Sequence, residues 1–135
     1  MALLTVPLCL MAFGAAEYGR AIYQYNALVK STRDAVRYLS SRGPGVNIDE
    51  AKCMAVTGTD DCTGAVLAPG LTVAMVDTCD RLSCPGTHQA VPTGSGTIDL
   101  VTVYIGRAAP YNFQALVPLV ASDFAFGVIS ATMRQ

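Results

Sequence analysis

A chain of 135 residues with a formal net charge of −1 is long enough for one modest domain and too short for two well-cored ones. The weak net charge excludes a global field that would draw it onto nucleic acid or an acidic surface. Hydrophobic residues make up 52% and charged residues 14%, against ~25% charged in ordinary soluble domains.

The apolar excess is concentrated at the front. Met1–Ala16 carries no charge, and Thr5 is its only polar side chain. As a helix this run spans about 24 Å at ~1.5 Å per residue, somewhat short of a ~30 Å hydrocarbon core. It reads first as a membrane-inserting helix, in which Pro7 is tolerated because neighbouring groups re-satisfy the freed backbone. A buried core helix and a secretory signal are the alternatives, although the usual charged leader region and A-x-A site are absent.

The stretch EYGRAIYQYNALVKSTRDAVRYLSSRG, Glu17–Gly43, follows without a linker. Ile22, Tyr25, Val29, Thr32, Val36 and Leu39 fall at alternating steps of three and four, one face of a helix, which Leu28, Ala35 and Tyr38 widen. Lys30, Arg33 and Arg37 lie on another face, with Asp34 placed to pair with Lys30. No Gly or Pro interrupts the chain between Arg20 and Arg42, and Arg42-Gly43-Pro44-Gly45 is a firm stop. The pattern predicts one continuous helix from Met1 to about Ser41, apolar all round in residues 1–19 and amphipathic in 20–42. Its second part packs a head made of residues 43–135.

Within that head, Asn47-Ile48-Asp49-Glu50 resembles a capping box and opens a helix through about Val56. Leu71–Val76 and Thr97–Ile105 read as strands, the second central because both of its faces are largely apolar. Pro85–Gly96 reads as a polar loop, Phe113–Val120 is ambiguous, and Ala125–Met133 fits a last strand. The expected class is α+β: a long protruding N-terminal helix on a small antiparallel β-sheet head with disulfides.

Cys9 sits in the apolar run and is expected to be a small buried thiol. The even set Cys53, Cys62, Cys79 and Cys84 suggests two disulfides and an oxidising compartment. Short loops favour Cys53–Cys62 with Cys79–Cys84. Zinc and free thiols are weaker readings, since the spacings are not those of zinc knuckles and His88 is the only histidine. The basic residues after the apolar run would by charge bias place the head in the cytoplasm. The cysteines place it outside, and a basic leader preceding Met1 would reverse the charge comparison.

Candidate chemistry is thin. No nucleophile–base pair is evident, so neither enzymatic activity nor a cofactor is expected. His88 reads as solvated in a polar loop. Asp60-Asp61 and Asp77/Asp80 lack calcium-loop spacing, and Gly94-Ser95-Gly96 lacks the lysine and helix of a phosphate loop. The Lys30/Arg33/Arg37 stripe reads as a solvated face, and no nucleic-acid partner is expected. Glu17 is either a boundary charge reaching for lipid headgroups or is paired with Arg20 or a neighbouring subunit.

The segment VPLCLMAFGAAEYGRAIYQYNALVKSTRDAVRYL resembles the N-terminal signature of TadE-like proteins, minor pilin-like subunits of tight-adherence (Tad/Flp) pilus systems. The shared elements are Pro7 in the apolar run, Glu17-Tyr18-Gly19-Arg20, Tyr25-Asn26, and the basic segment Arg33–Tyr38. The ending GVISATMRQ after IDLVTVYI is similar to the family's closing strand. One departure is that no glutamate precedes Pro7, where the family usually carries one. The resemblance implies a pilin-like structural subunit, anchored in the bacterial inner membrane before assembly and displayed on the pilus afterwards, with its head outside the cytoplasm. Implied partners are other pilin-like subunits, a prepilin leader peptidase and an assembly platform. Leu3, Leu4, Val6, Pro7, Leu8, Leu10, Phe13, Glu17, Tyr18 and Arg20 would be its helix-packing residues. The competing reading is a membrane-anchored, disulfide-rich binding or adhesion domain.

Overall fold

The structure, a computed structural model, describes residues 2–119 and 121–135; the side chains of Ala2 and Leu3 lie outside the description. Helix α1, Ala2–Ser40, is a single unbroken element of 39 residues with Pro7 inside it, about 58 Å long at ~1.5 Å per residue. Its C-terminal part buries Leu28, Ser31, Thr32, Ala35, Val36 and Leu39, the face that the spacing of apolar residues predicts. The hydroxyls of Ser31 and Thr32 donate to the Leu28 carbonyl at 3.0 and 2.7 Å, so these polar residues enter the core without an unmet donor.

Towards the N-terminus the buried stripe is displaced by one residue. Ala21 and Gln24 are covered, whereas Ile22 and Tyr25 are exposed. The cause is the distant Tyr111, whose hydroxyl is shared between Gln24 Oε1 at 3.0 Å and the Pro69 carbonyl at 2.9 Å. Burial pushes its phenol above the ordinary value, against the opposing charge of Arg20. Small Ala21 admits the neighbouring aromatics, and Tyr25 packs edge-on at their rim, 5.7 Å from Phe126.

Helix α2, Ile48–Thr57, lies against α1 through Ala51, Ala55 and Val56. The expected capping box does not form: Asn47 is left-handed at φ 58° and its side chain makes no capping bond. Asp49 and Glu50 still occupy the first turn, where the helix dipole favours negative charge. The expected strand Leu71–Val76 is instead a 3-10 turn over Val73–Met75, with strand β1 at Val76–Cys79. Pro85–Gly96 is more ordered than a loop. It holds the short helix α3, Pro85–His88, and strand β2, Val91–Thr93, which pairs with β3, Gly96–Ile98.

The expected strand Thr97–Ile105 divides at Asp99, whose carboxylate accepts from the Ala90 amide at 2.9 Å and Arg81 at 3.0 Å. Strand β4, Leu100–Ile105, is central as its apolar faces predict. It is flanked by β1 and by β7, Ile129–Arg134, in the order β1-β4-β7, antiparallel throughout. Between β4 and β7, β5, Asn112–Phe113, pairs with β6, Phe124–Ala125. The core lies between α1 and the sheet, where Val101, Val103 and Ile105 meet Leu28, Val36 and Leu39.

Two disulfides staple the head, as expected from the short loops. Cys53–Cys62 ties α2 to the turn that follows it, and Cys79–Cys84 joins the end of β1 to the start of α3. Beside the second bridge, Asp80 is a structural node. Its Oδ1 accepts from the Leu82 and Ser83 amides and the Ser83 hydroxyl at 3.0, 2.8 and 2.8 Å, and its Oδ2 from the Gly45 amide at 2.6 Å. Burial alone would raise this carboxyl; the Ser83, Gly45 and Leu82 donors outweigh it and hold the group below the usual carboxylate range. A lowered folded value means that the stabilisation is fully present above the unfolded value and is lost as pH falls through the folded one. Asp80→Asn is therefore expected to cost about 1–3 kcal/mol near neutrality. Urea unfolding as a function of pH should show the difference from wild type shrinking in acid. An unchanged difference across the carboxylate range would contradict this role.

Candidate functional site

The N-terminal third of α1 extends past the sheet. Leu4, Val6, Leu8, Leu10, Met11 and Phe13 are all exposed, Leu4 by 74% and Leu8 by 70%. Pro7 is exposed as well, while Leu3 lies outside the described residues. These side chains point to all sides of the helix, so no single face of the head can cover them. A run of this size left open on an ordinary domain marks a surface that meets lipid or other protein. Cys9, expected to be buried, is exposed and is the one free thiol among the described residues. Among the described residues nothing covers it fully.

One segment of the head does reach this region. The loop between β5 and β6 brings Val117 and Leu119 beside Thr5, Val6, Cys9, Leu10 and Phe13, around an open cleft of about 330 Å³. Higher on the helix, Phe113, Ala121 and Phe124 stand against Gly14, Glu17, Tyr18 and Ala21. The hairpin thus forms a collar where the apolar run gives way to the amphipathic part.

Glu17 lies under that collar, only 5% exposed. Its Oε2 accepts from Arg20 Nη1 at 2.7 Å, one helical turn away. Within the chain this is the Arg20 pairing, and the burial leaves no route for a carboxylate reaching outward to headgroups. The Arg20 guanidinium in turn lies 5.4 Å from the centre of the Phe113 ring, a cation–π placement. Tyr18, beside Glu17 in sequence, is exposed. Because the carboxylate is covered and the arginine is about a third exposed, the two partners are not equivalent. Arg20→Ala strands a buried charge and is expected to cost about 2 kcal/mol, less than the ~3–5 kcal/mol of a fully buried pair because the arginine is partly solvated. Glu17→Gln leaves a neutral group and an arginine that can turn to water, and should cost less than half as much. Equal losses in chemical denaturation would argue against a buried carboxylate.

His88 is not the solvated side chain that its polar loop suggests. It is buried, with Nε2 at 2.7 Å from Thr102 Oγ1 and Nδ1 at 2.7 Å from Thr87 Oγ1, and Thr102 continues to Thr132 at 2.8 Å. The partners Thr102 and Thr132 come from β4 and β7, which nothing in the local sequence announces. Potential ligand atoms of Cys79, Cys84 and His88 lie within 4.8 Å of one another. Both sulfurs are spent in the bridge, so in this form they are not thiolate ligands and the cluster is structural.

With the geometry of α1 established, residues 1–37 match the family model described as TadE-like protein. The N-terminal segment is similar to that family. The match ends inside α1 and takes in both the exposed apolar run and the Glu17–Arg20 pair. TadE-like proteins are pilin-like components associated with Tad pili, and a protruding helix on a disulfide-stapled α+β head suits that class. Neither a search of curated proteins nor a search of solved structures finds a match. Among the described residues, no helix is long and apolar enough to cross a membrane. The two disulfides point to an extracytoplasmic head.

Proposed function

We propose that this protein is a structural subunit of a Tad-type pilus, joined to its neighbours through the exposed N-terminal part of α1. The observation that carries the reading is the division of labour along one unbroken helix. Residues 4–13 are exposed, with only the β5–β6 loop beside them among the described residues, while a stripe from Glu17 to Leu39 is buried in the head. A rigid connection of this kind transmits the position of the packed N-terminus directly to the head. Burying the large apolar side chains between Leu4 and Phe13 supplies at least ~1.5 kcal/mol each, a strong drive for lateral association.

In this reading the apolar part rests in the inner membrane and exchanges lipid for the helices of other pilin-like subunits on assembly. The reading includes processing by a leader peptidase and insertion by an assembly platform. The role is non-catalytic, with no cofactor and no nucleic-acid partner.

Size-exclusion chromatography with light scattering tests the association. The full chain should require detergent or pilin-like partners. A chain beginning near Gly14, which keeps the contacts of Glu17, Ala21 and Gln24 with the head, should be a monodisperse monomer in water. A detergent-free monomer of the full chain would show that residues 4–13 fold back onto the head, and the subunit reading would fail.

A further inference from the structure

The collar hairpin carries a feature that filament packing by α1 does not require. Its loop is free of charge from residue 114 to 122, and Leu116 and Leu119 are exposed by 72% and 85%. The loop backbone is nevertheless tied down at its neck. The Ala115 amide donates to Asp123 Oδ1 at 2.8 Å, the Ala121 amide to the Val117 carbonyl at 3.2 Å, and Pro118 has no amide to satisfy. Apolar side chains therefore project from a loop that has met part of its own backbone demand.

We infer that the β5–β6 loop is a second lipid-contacting element, seated in the interfacial layer of a bilayer beside the N-terminal part of α1. The inference rests on the reading that α1 enters a membrane, and adds a part of the head to the contact. Two chain segments far apart in sequence are sorted by the same levels. Val117 and Leu119 stand at the height of Thr5–Phe13, where neither segment has a charge. Exposed Tyr18 and Phe124 follow at the next level, as aromatic side chains do at a membrane–water boundary. The first charges of both segments fall at this same level, Glu17 directly before Tyr18 on the helix and Asp123 directly before Phe124 at the neck of the loop, with Arg20 one turn further along. A charge-free apolar layer, bounded on both segments by one level of charged and aromatic residues, matches a lipid interface. Contact with one protein partner needs no such common ordering. The loop is irregular, so its place is the interfacial zone, ~5–10 Å deep, and not the hydrocarbon centre.

The chain contains no tryptophan, so Leu119→Trp in the full chain gives a single reporter, and Leu116→Trp a second should the first fail to fold. In vesicles of phosphatidylethanolamine and phosphatidylglycerol the emission of the introduced indole should move to shorter wavelength. Lipids brominated near the headgroup should quench it roughly twofold or more, as expected at interfacial depth. Thr93→Trp, on the distant β2–β3 hairpin, should behave as in water. A bimane label on Cys9 reads α1 in parallel. If the label on Cys9 is quenched and the loop indole is not, the loop stays out of the lipid and the inference is overturned while the helix reading stands. If neither is quenched, both fail. A shift of the loop indole without quenching would mean that protein covers the loop, which also overturns the lipid assignment.

Discussion

Replacing Val29 by proline is expected to lower the stability of the head by about 3 kcal/mol or more and to abolish pilus assembly. Val29 lies half-buried in the middle of α1, next to fully buried Leu28. Proline removes one hydrogen bond of the helix and collides with the preceding turn. The kink would also turn Leu28 and Thr32 away from β4 and β7, so the loss should exceed the local cost. For a domain of this size the thermal midpoint should fall by roughly 10 °C or more. Val29→Ala keeps the helix and removes only part of a side chain, so it should retain assembly. Normal pili from the proline variant would show that the projecting part of α1 and the head work as independent modules.

Phe113→Ala should cost about 3–5 kcal/mol, the range for emptying a buried aromatic site. Phe113 is 1% exposed, and its ring lies 5.2 Å from that of Phe124 and 6.3 Å from that of Phe126. Its loss removes the surface on which Arg20 rests and the cover over Glu17. The effect should therefore be uneven. Amide exchange should accelerate first across β5 and β6, including the Phe126 amide that bonds the Tyr111 carbonyl, while β1-β4-β7 remains protected. Uniform acceleration through the whole head would mean that the collar has no separate stability.

Much of α1 is legible in the sequence because its signals are local. Periodic apolar positions, an uninterrupted run from Arg20 to Arg42 and the Gly-Pro-Gly stop all lie within the helix or at its end. The central place of β4 is legible for a similar reason, since Val101, Val103 and Ile105 alternate with residues that are themselves largely apolar. The disulfide pairing is the one that two short loops favour, although four cysteines do not by themselves fix their connectivity. What fails is decided at long range. Ala21 and Gln24 displace Ile22 and Tyr25 from the buried stripe because of Tyr111, 87 residues from Gln24. His88 is buried through the threonines of β4 and β7. The onset of β1 after Met75 accompanies a bond from the Gly106 amide to the Met75 carbonyl. The capping box fails because Asn47 leaves the Gly43–Val46 turn in the left-handed conformation, an arrangement that a four-residue pattern does not encode.

The candidate site divides in the same way. The exposed residues from Leu4 to Phe13 are readable as an apolar run. Their collar is not, because β5 and β6 are two-residue strands whose pairing depends on an aromatic cluster assembled by the fold. Asp123, Phe124 and Leu119 gain meaning only when set beside α1.

The reactivity of Cys9 tests the central claim most directly, because the other cysteines are held in disulfides. In intact cells that make pili, a membrane-impermeant maleimide should leave Cys9 unlabelled, and detergent should expose it to rapid modification. The exposed thiol seen in the isolated chain would then be one that lipid or neighbouring helices cover in place. Full-rate labelling of Cys9 in intact, piliated cells would contradict a buried N-terminal helix.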